Sequence, residues 1–355
     1  MLFKKSKNLV GLDIGSSAVK LVELKDAKGG GYRLVRTGIE PLSPEAIVDG
    51  AIMDASLVVD TVNRVISSLN VRNNDFGTSL SGHSVIIKKI TLPAMSAEEL
   101  SESIRWEAEQ YVPFDINDVN LDYVVLEGAG GSGDTMDVLL VAVKKDKIGD
   151  YTSVISQAGK TPVLVDVDAF ALQNAFEINY PVEPGRVVAL VNIGAAVTNV
   201  NVLSGGNTIF WRDISFGGNQ YTDAIQKQLS LGFEQADSLK RGEASGEHSI
   251  QEILPILRSV SDDLSQELQK TFDFFGATTS TERIDQLFIA GGCSRIVNLD
   301  RQLKERFGMP VEIMNPFRQI DTSGASVSPE WLNENAPSLT VAVGLATRHI
   351  GDETA

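Results

Sequence analysis

The chain has 355 residues and a net charge of −16, which is enough length for about two domains with cores of their own. The acidity excludes nucleic acid as a partner, since a phosphate backbone would be repelled, and excludes unaided adsorption to an anionic membrane. One cysteine, Cys293, excludes an intrachain disulfide and a cysteine zinc site, and points to a reducing compartment.

The start, Met1-Leu2-Phe3-Lys4-Lys5-Ser6-Lys7, is mildly basic, but Asp13 and Gly15 interrupt the apolar stretch behind it, so it does not read as a signal peptide. No run approaches the ~20 apolar residues of a membrane span. The expectation is a cytosolic protein that reaches a membrane only through a partner. Residues 9–14 and 18–24 then read as two strands around the turn Gly15-Ser16-Ser17. Val19, Leu21 and Leu24 alternate with Lys20 and Glu23, while Val22 falls out of step. The turn offers small residues, backbone N–H groups and two hydroxyls, with Asp13 before it and Lys20 after it. A polyphosphate with Mg²⁺ needs this chemistry: close backbone approach at Gly15, donors at Ser16, Ser17 and Lys20, and Asp13 holding the metal's waters. An ordinary hairpin would use the same residues.

Residues 54–69 carry apolar side chains at the spacing of an amphipathic helix. A new unit is expected to open near Phe76, with a strand over 84–92 and a capping box, Ser96-Ala97-Glu98-Glu99, starting a helix that stops before Pro113. Strands at 119–125 and 136–143 and a helix over 146–158 complete an α+β insert. Two decoys lie here. Gly128-Ala129-Gly130-Gly131-Ser132-Gly133 matches a dinucleotide pattern but precedes a strand. Gly159-Lys160-Thr161 ends like a P-loop but closes a helix instead of opening one.

After a strand over 163–167 and a helix over 168–179, a second hairpin appears: strand 187–193, Gly194-Ala195-Ala196-Val197-Thr198, strand 199–203. Each hairpin is followed by a glycine turn and a third strand, so the chain reads as a duplication with a phosphate between the halves. Phe216-Gly217-Gly218 then leads into a helix, a polar helical region follows, and 250–275 is a long helix in which Pro255 marks a first turn or a kink. A buried strand over 284–290 runs into Gly291-Gly292, with a helix around 296–307 and a last apolar segment over 339–350. His83, His248 and His349 form no constellation.

With both hairpins in view, the chain resembles the actin-like ATPase superfamily, with residues 13–20 at its first phosphate loop and 192–198 at its second. Within it, the stretches 10–24, 84–122 with Ile104-Arg105-Trp106-Glu107-Ala108-Glu109-Gln110-Tyr111-Val112-Pro113-Phe114, and 166–176 are similar to the PilM family of type IV pilus assembly proteins. The resemblance implies an α/β fold of the duplicated, ribonuclease H-like, actin-like kind, with two lobes and an inserted α+β subdomain as in the division protein FtsA. It partitions the chain into a first subdomain (1–75, 160–184 and 336–355), the insert (76–159), a second subdomain (185–218 and 281–335) and a helical one (219–280).

The same resemblance implies ATP and Mg as cofactors. Asn192, Gly194 and Thr198 would sit at the second phosphate loop, Gly217 and Gly218 at the turn behind it, and Gly291-Gly292 at the adenosine loop. Asp237 and Lys240 resemble the A-E-x-x-K segment of MreB, which would put Asp237 at the ribose and Lys240 near the purine; a solvated helix face is the alternative. Asp168 lies where relatives place the group that orients water, and would be a general base or a helix cap. Asn192 departs from the usual Asp and puts hydrolysis in doubt, not binding. As a partner the resemblance implies the N-terminal cytoplasmic tail of the inner-membrane protein PilN, with other platform and motor proteins behind it. The end of the chain, Arg348 to Ala355, has no amphipathic membrane helix of the FtsA kind, which favours the pilus reading. Two function classes stay open: a nucleotide-loaded adaptor, or a turnover enzyme, whether a slow ATPase, a polymerising division-type homologue or a small-molecule kinase.

Overall fold

Two five-stranded sheets with one shared strand plan carry the molecule, as seen in a computed structural model that describes residues 8–27, 29–126, 134–243, 248–279 and 283–349. The glycine-rich loop at 128–133 and the segments 1–7 and 350–355 lie outside the described residues.

The first half begins with β1 (Val10–Ile14), β2 (Ala18–Asp26) and β3 (Tyr32–Pro41), an antiparallel meander. A short hairpin, β4 (Ile47–Val48) and β5 (Ala51–Ile52), precedes α1 (Ala55–Ser68), which Asp54 caps by accepting the Leu57 N–H. Next comes β6 (Asp75–Leu80), parallel to β1. β7 (Val85–Pro93), α2 (Ala97–Glu109), β8 (Val119–Leu126) and β9 (Thr135–Lys144) form the insert, a three-stranded sheet ordered β7-β9-β8 under one helix. The Ser96–Glu99 capping box is present at the start of α2. The chain returns through α3 (Lys145–Gln157), β10 (Thr161–Val167) and α4 (Asp168–Asn179).

The second half repeats the plan with β11 (Val187–Ile193), β12 (Thr198–Ser204) and β13 (Asn207–Ile214). The helices α5 (Gly218–Leu229), α6 (Phe233–Lys240) and α7 (Ile250–Thr278) follow, and Pro255 is accommodated inside α7. Then come β14 (Gln286–Ala290), α8 (Leu299–Phe307), β15 (Val311–Ile313), α9 (Pro329–Asn335) and α10 (Thr340–Ala346). Sheet orders are β3-β2-β1-β6-β10 and β13-β12-β11-β14-β15, each with three antiparallel strands and two parallel ones.

The insert is narrower than its sequence boundaries. Asp75–Leu80 is hydrogen-bonded between β1 and β10, and α3 packs on α1, so both belong to the first lobe and not to an insert spanning 76–159. The apolar face of α3, with Tyr151, Val154 and Ile155, joins the same core as Val58, Val62 and Phe76. Between the lobes lie α4 and α10, in a core that holds Val22 and Leu24 from one sheet and Val188, Leu190 and Phe288 from the other. Every residue of α10 is buried. It fits because Gly11 and Gly344 leave room for backbone: a Cβ at either would overlap the carbonyl of Ala342 or Ala171.

Candidate functional site

Each half presents a hairpin with the same turn. Gly15 N–H donates to the Ala18 carbonyl at 3.1 Å, and Gly194 N–H to the Val197 carbonyl at 3.0 Å. In the first hairpin Asp13 stands opposite Lys20, and Nζ donates to Oδ2 at 2.8 Å. In the second, Asn192 stands opposite Asn199, and Nδ2 donates to Oδ1 at 2.9 Å. Both hairpins line one cleft with about 730 Å³ of open space in it and at its mouth. The cleft brings together Asp13, Gly15, Ser16, Ser17, Lys20, Asp168, Asn192, Gly194, Gly291 and Gly292.

Asp168 is the first residue of α4, and its carboxylate caps nothing: it accepts the Ser79 hydroxyl at 2.6 Å from the end of β6. The helix-cap alternative is therefore set aside. Burial, reinforced by Asp13 and Asp213 and opposed by hydrogen bonds from Ser79 and Ser81, pushes its pKa up to about 6. The sequence reading missed the residues that face it. Lys147 and Tyr151, one turn apart on α3, line the cleft, and both donate to the Gly50 carbonyl in the β4–β5 turn, Tyr151 at 3.1 Å. Burial draws the Lys147 pKa down, while Asp168, Asp150 and Asp146 pull it back up. Burial likewise raises the Tyr151 pKa. A lysine in helical register with Tyr151 and Val154, on the buried face, was the available signal.

Other residues singled out from the sequence stand off the cleft wall. Thr198 is fully buried and donates its hydroxyl to the Phe216 carbonyl at 2.7 Å. Side chains alternate along a strand, so Asn199, not Thr198, takes the cleft-facing position on β12. Gly217 and Gly218 act from behind: Gly218 N–H donates to the Gly194 carbonyl at 2.9 Å, and a Cβ on Gly217 would lie 2.6 Å from the same oxygen. Lys240 donates to Thr222 Oγ1 at 2.8 Å and the Gly218 carbonyl at 3.3 Å, and pairs with Asp237 at 2.5 Å. Those three acceptors match the three protons of its ammonium. Asp237 also pairs with Arg241 at 3.0 Å, so this ion-paired turn braces α5 against α6. The P-loop decoy is likewise structural, since Lys160 holds the carbonyls of Val71 and Asn73.

Gly291 adopts φ +86°, and a Cβ there would run into the backbone of Ile193 and the Asn192 side chain. Its N–H donates to the Pro337 carbonyl at 2.8 Å, which leaves Gly292 exposed on the cleft side. The donor set suits Mg²⁺ held mainly by phosphate and water. Asp13 commits one carboxylate oxygen to Lys20, and no group of three or more metal-binding side chains occurs among the described residues.

The comparisons with known proteins agree with this geometry. The sequence profile of the family described as type IV pilus assembly protein PilM matches residues 11–350. A solved PilM-PilN type IV pilus biogenesis complex is 28% identical over 97% of this chain and 99% of that one, with a TM-score of 0.86. Ethanolamine utilization protein EutJ from Carboxydothermus hydrogenoformans is 14% identical over 96% and 89%, with a TM-score of 0.58. MreB5 of Spiroplasma citri, solved with AMPPNP, is 14% identical over 96% and 95%, with a TM-score of 0.52. The last two show the actin-like fold alone. The chain belongs to the type IV pilus assembly protein PilM family.

Proposed function

We propose that the chain is an ATP-binding, actin-like adaptor of the type IV pilus inner-membrane platform, held at the membrane by the N-terminal cytoplasmic tail of PilN. The observation that carries the nucleotide part is the pair of matched glycine turns on the wall of one cleft. Gly15 and Gly194 let phosphate oxygens approach the backbone, Ser16 and Ser17 add hydroxyl donors, and Lys20 supplies positive charge. Asp13 would hold the water shell of Mg²⁺, which when bound neutralises the phosphates. Gly292 offers open backbone to a base.

Turnover is the weaker half of the site. Asp168, with its pKa near 6, is able to accept a proton from water. The second hairpin, however, supplies an amide at Asn192 where a carboxylate would help order that water. The protein is therefore a clamp that holds ATP much longer than it hydrolyses it.

The partner reading rests on the likeness to the PilM-PilN complex and on the seam between insert and first lobe. Ile87 and Leu139 of the insert sheet meet Val167 and Ala169 there, with Leu126 and Phe170 only partly covered. Alongside runs β10, the outer strand of the first sheet, half-exposed over most of its length. An extended peptide would add its backbone at such an edge and set apolar anchors in the seam. No helix among the described residues is long and apolar enough to cross a membrane, so this proposal places the chain at the inner face through its partner. Hydrogen-exchange mapping with a labelled PilN-tail peptide tests it. Protection is expected over residues 84–167, and protection confined to 187–307 would contradict it.

A further inference from the structure

The amide pair of the second hairpin does not end at Asn199. Asn199 Nδ2 donates to Asp213 Oδ1 at 2.8 Å, and Asp213 Oδ2 accepts the Gly82 N–H at 2.6 Å. Asn192, Asn199 and Asp213 stand in register across β11, β12 and β13. Gly82 belongs to the other half, between β6 and β7, at the root of the insert. A row of hydrogen bonds thus leads from the cleft across the boundary between lobes, and the Ser215 hydroxyl lies 3.4 Å from His83 Nε2 beside it.

The far end of the row fixes its direction. An ionised carboxylate only accepts, so Asn199 must turn its Nδ2 to Asp213 and its Oδ1 to Asn192. Amide oxygen and nitrogen are otherwise easily exchanged, and the carboxylate removes that freedom. Residue 192 must then donate, which an amide does and a carboxylate does not. An aspartate at 192 would bring two acceptors together, either against Asn199 or, if Asn199 turned over, between Asn199 and Asp213. The departure from the usual acid at this loop thereby gains a local cause.

We propose that Asp213 is a positioning residue that requires an amide at 192 and ties the second phosphate hairpin to the root of the insert. A ligand in the cleft is then felt where the partner is proposed to bind, a consequence that rests on the nucleotide reading above.

Amide exchange at Gly82 in the ligand-free full chain is the direct probe. Asn192→Asp should speed it about tenfold or more by freeing the inter-lobe contact. Asn192→Asp combined with Asp213→Asn should restore it to within about threefold of the parent, because the row is then satisfied in reverse. The new amide at 213 donates to Asn199 and still accepts from Gly82, while Asn199 donates to the new acid. A double variant no slower than the single one, or a single variant with unchanged exchange, would overturn the proposal. Asp213→Ala changes an exposed side chain and guards against misfolding at 192; Gly82 exchange should rise there too, and unchanged exchange would also overturn it. Adding Mg-ATP should slow Gly82 exchange in the parent and not in Asp213→Ala. ATP that binds without moving Gly82 overturns the transmission. A parent that binds no ATP overturns the nucleotide reading and the transmission with it, while the ligand-free arms still decide the row.

Discussion

The two hairpins share a backbone and divide the chemistry. Their turns close on hydrogen bonds of 3.1 and 3.0 Å, and each places one cross-strand pair at the cleft. In the first copy that pair is an ion pair, Asp13 with Lys20; in the second it is two amides, Asn192 with Asn199. The first turn adds two hydroxyls, whereas the second carries Ala195, Ala196 and Val197 and offers its backbone alone. Duplication supplied the cradle twice, and charge was kept on one side. On the proposed nucleotide reading, an anion between them would be gripped by charge and hydroxyls at the first hairpin and by backbone alone at the second.

The largest expected effect separates these roles. Lys20→Met should weaken Mg-ATP binding by about 10- to 100-fold, the range for losing a charge-assisted hydrogen bond, when titrated calorimetrically. Equal loss on mutating a side chain of the second turn, such as Val197→Ala, would erase the asymmetry. Next in size is the steric side. Gly217→Val would push a Cβ within 2.6 and 2.7 Å of the Gly194 and Ala195 carbonyls, and should cost about 1–3 kcal/mol in chemical unfolding. Gly15→Ala, whose Cβ would lie a tight but not overlapping 3.3 Å from the Ala18 carbonyl and Lys20 Nζ, should cost less than Gly217→Val in the same assay.

The smallest effect concerns Asp168. Its folded pKa is raised from 3.8 to about 6, so within that window the folded chain holds a proton that the unfolded chain has released. Stability therefore falls as pH rises from about 4 to 6, and the penalty is complete above that. Asp168→Asn keeps an acceptor for Ser79 and removes the penalty. It should melt about 1–4 °C higher at pH 7, and the difference should vanish below about pH 4. A variant that melts lower at pH 7 would show that the charge stabilises the cleft.

Much of this was legible because both hairpins are local. Asp13, Gly15 and Lys20 lie within one turn and two strands, and the repeat at Gly194 announces itself by the same order of elements. The insert's inner boundary was harder to read. Asp75–Leu80 looks like any short strand, and only its pairing with β1 and β10 puts it in the first lobe. Lys147 is a related case: its register with Tyr151 and Val154 marks a buried face of α3, but only the tertiary fold shows that this face meets the cleft. The resemblance takes the second loop only as far as Thr198, whereas alternation along β12 turns Asn199 toward the cleft. For Lys240 the sequence offers a purine contact or a solvated helix face, and neither names the partners it has, Gly218 and Thr222 on α5 and Asp237 on α6, because the packing of the two helices is not local.

The central claim is that the cleft holds ATP as a clamp, and the most direct measurement follows one nucleotide through it. The purified, partner-free chain would be loaded with Mg-ATP, stripped of excess, and sampled over time for ATP and ADP. Bound ATP should persist, with turnover far below the ordinary enzyme range of about 1–10³ s⁻¹. Rapid multiple turnover to ADP, or a cleft that retains no nucleotide at all, would contradict the account.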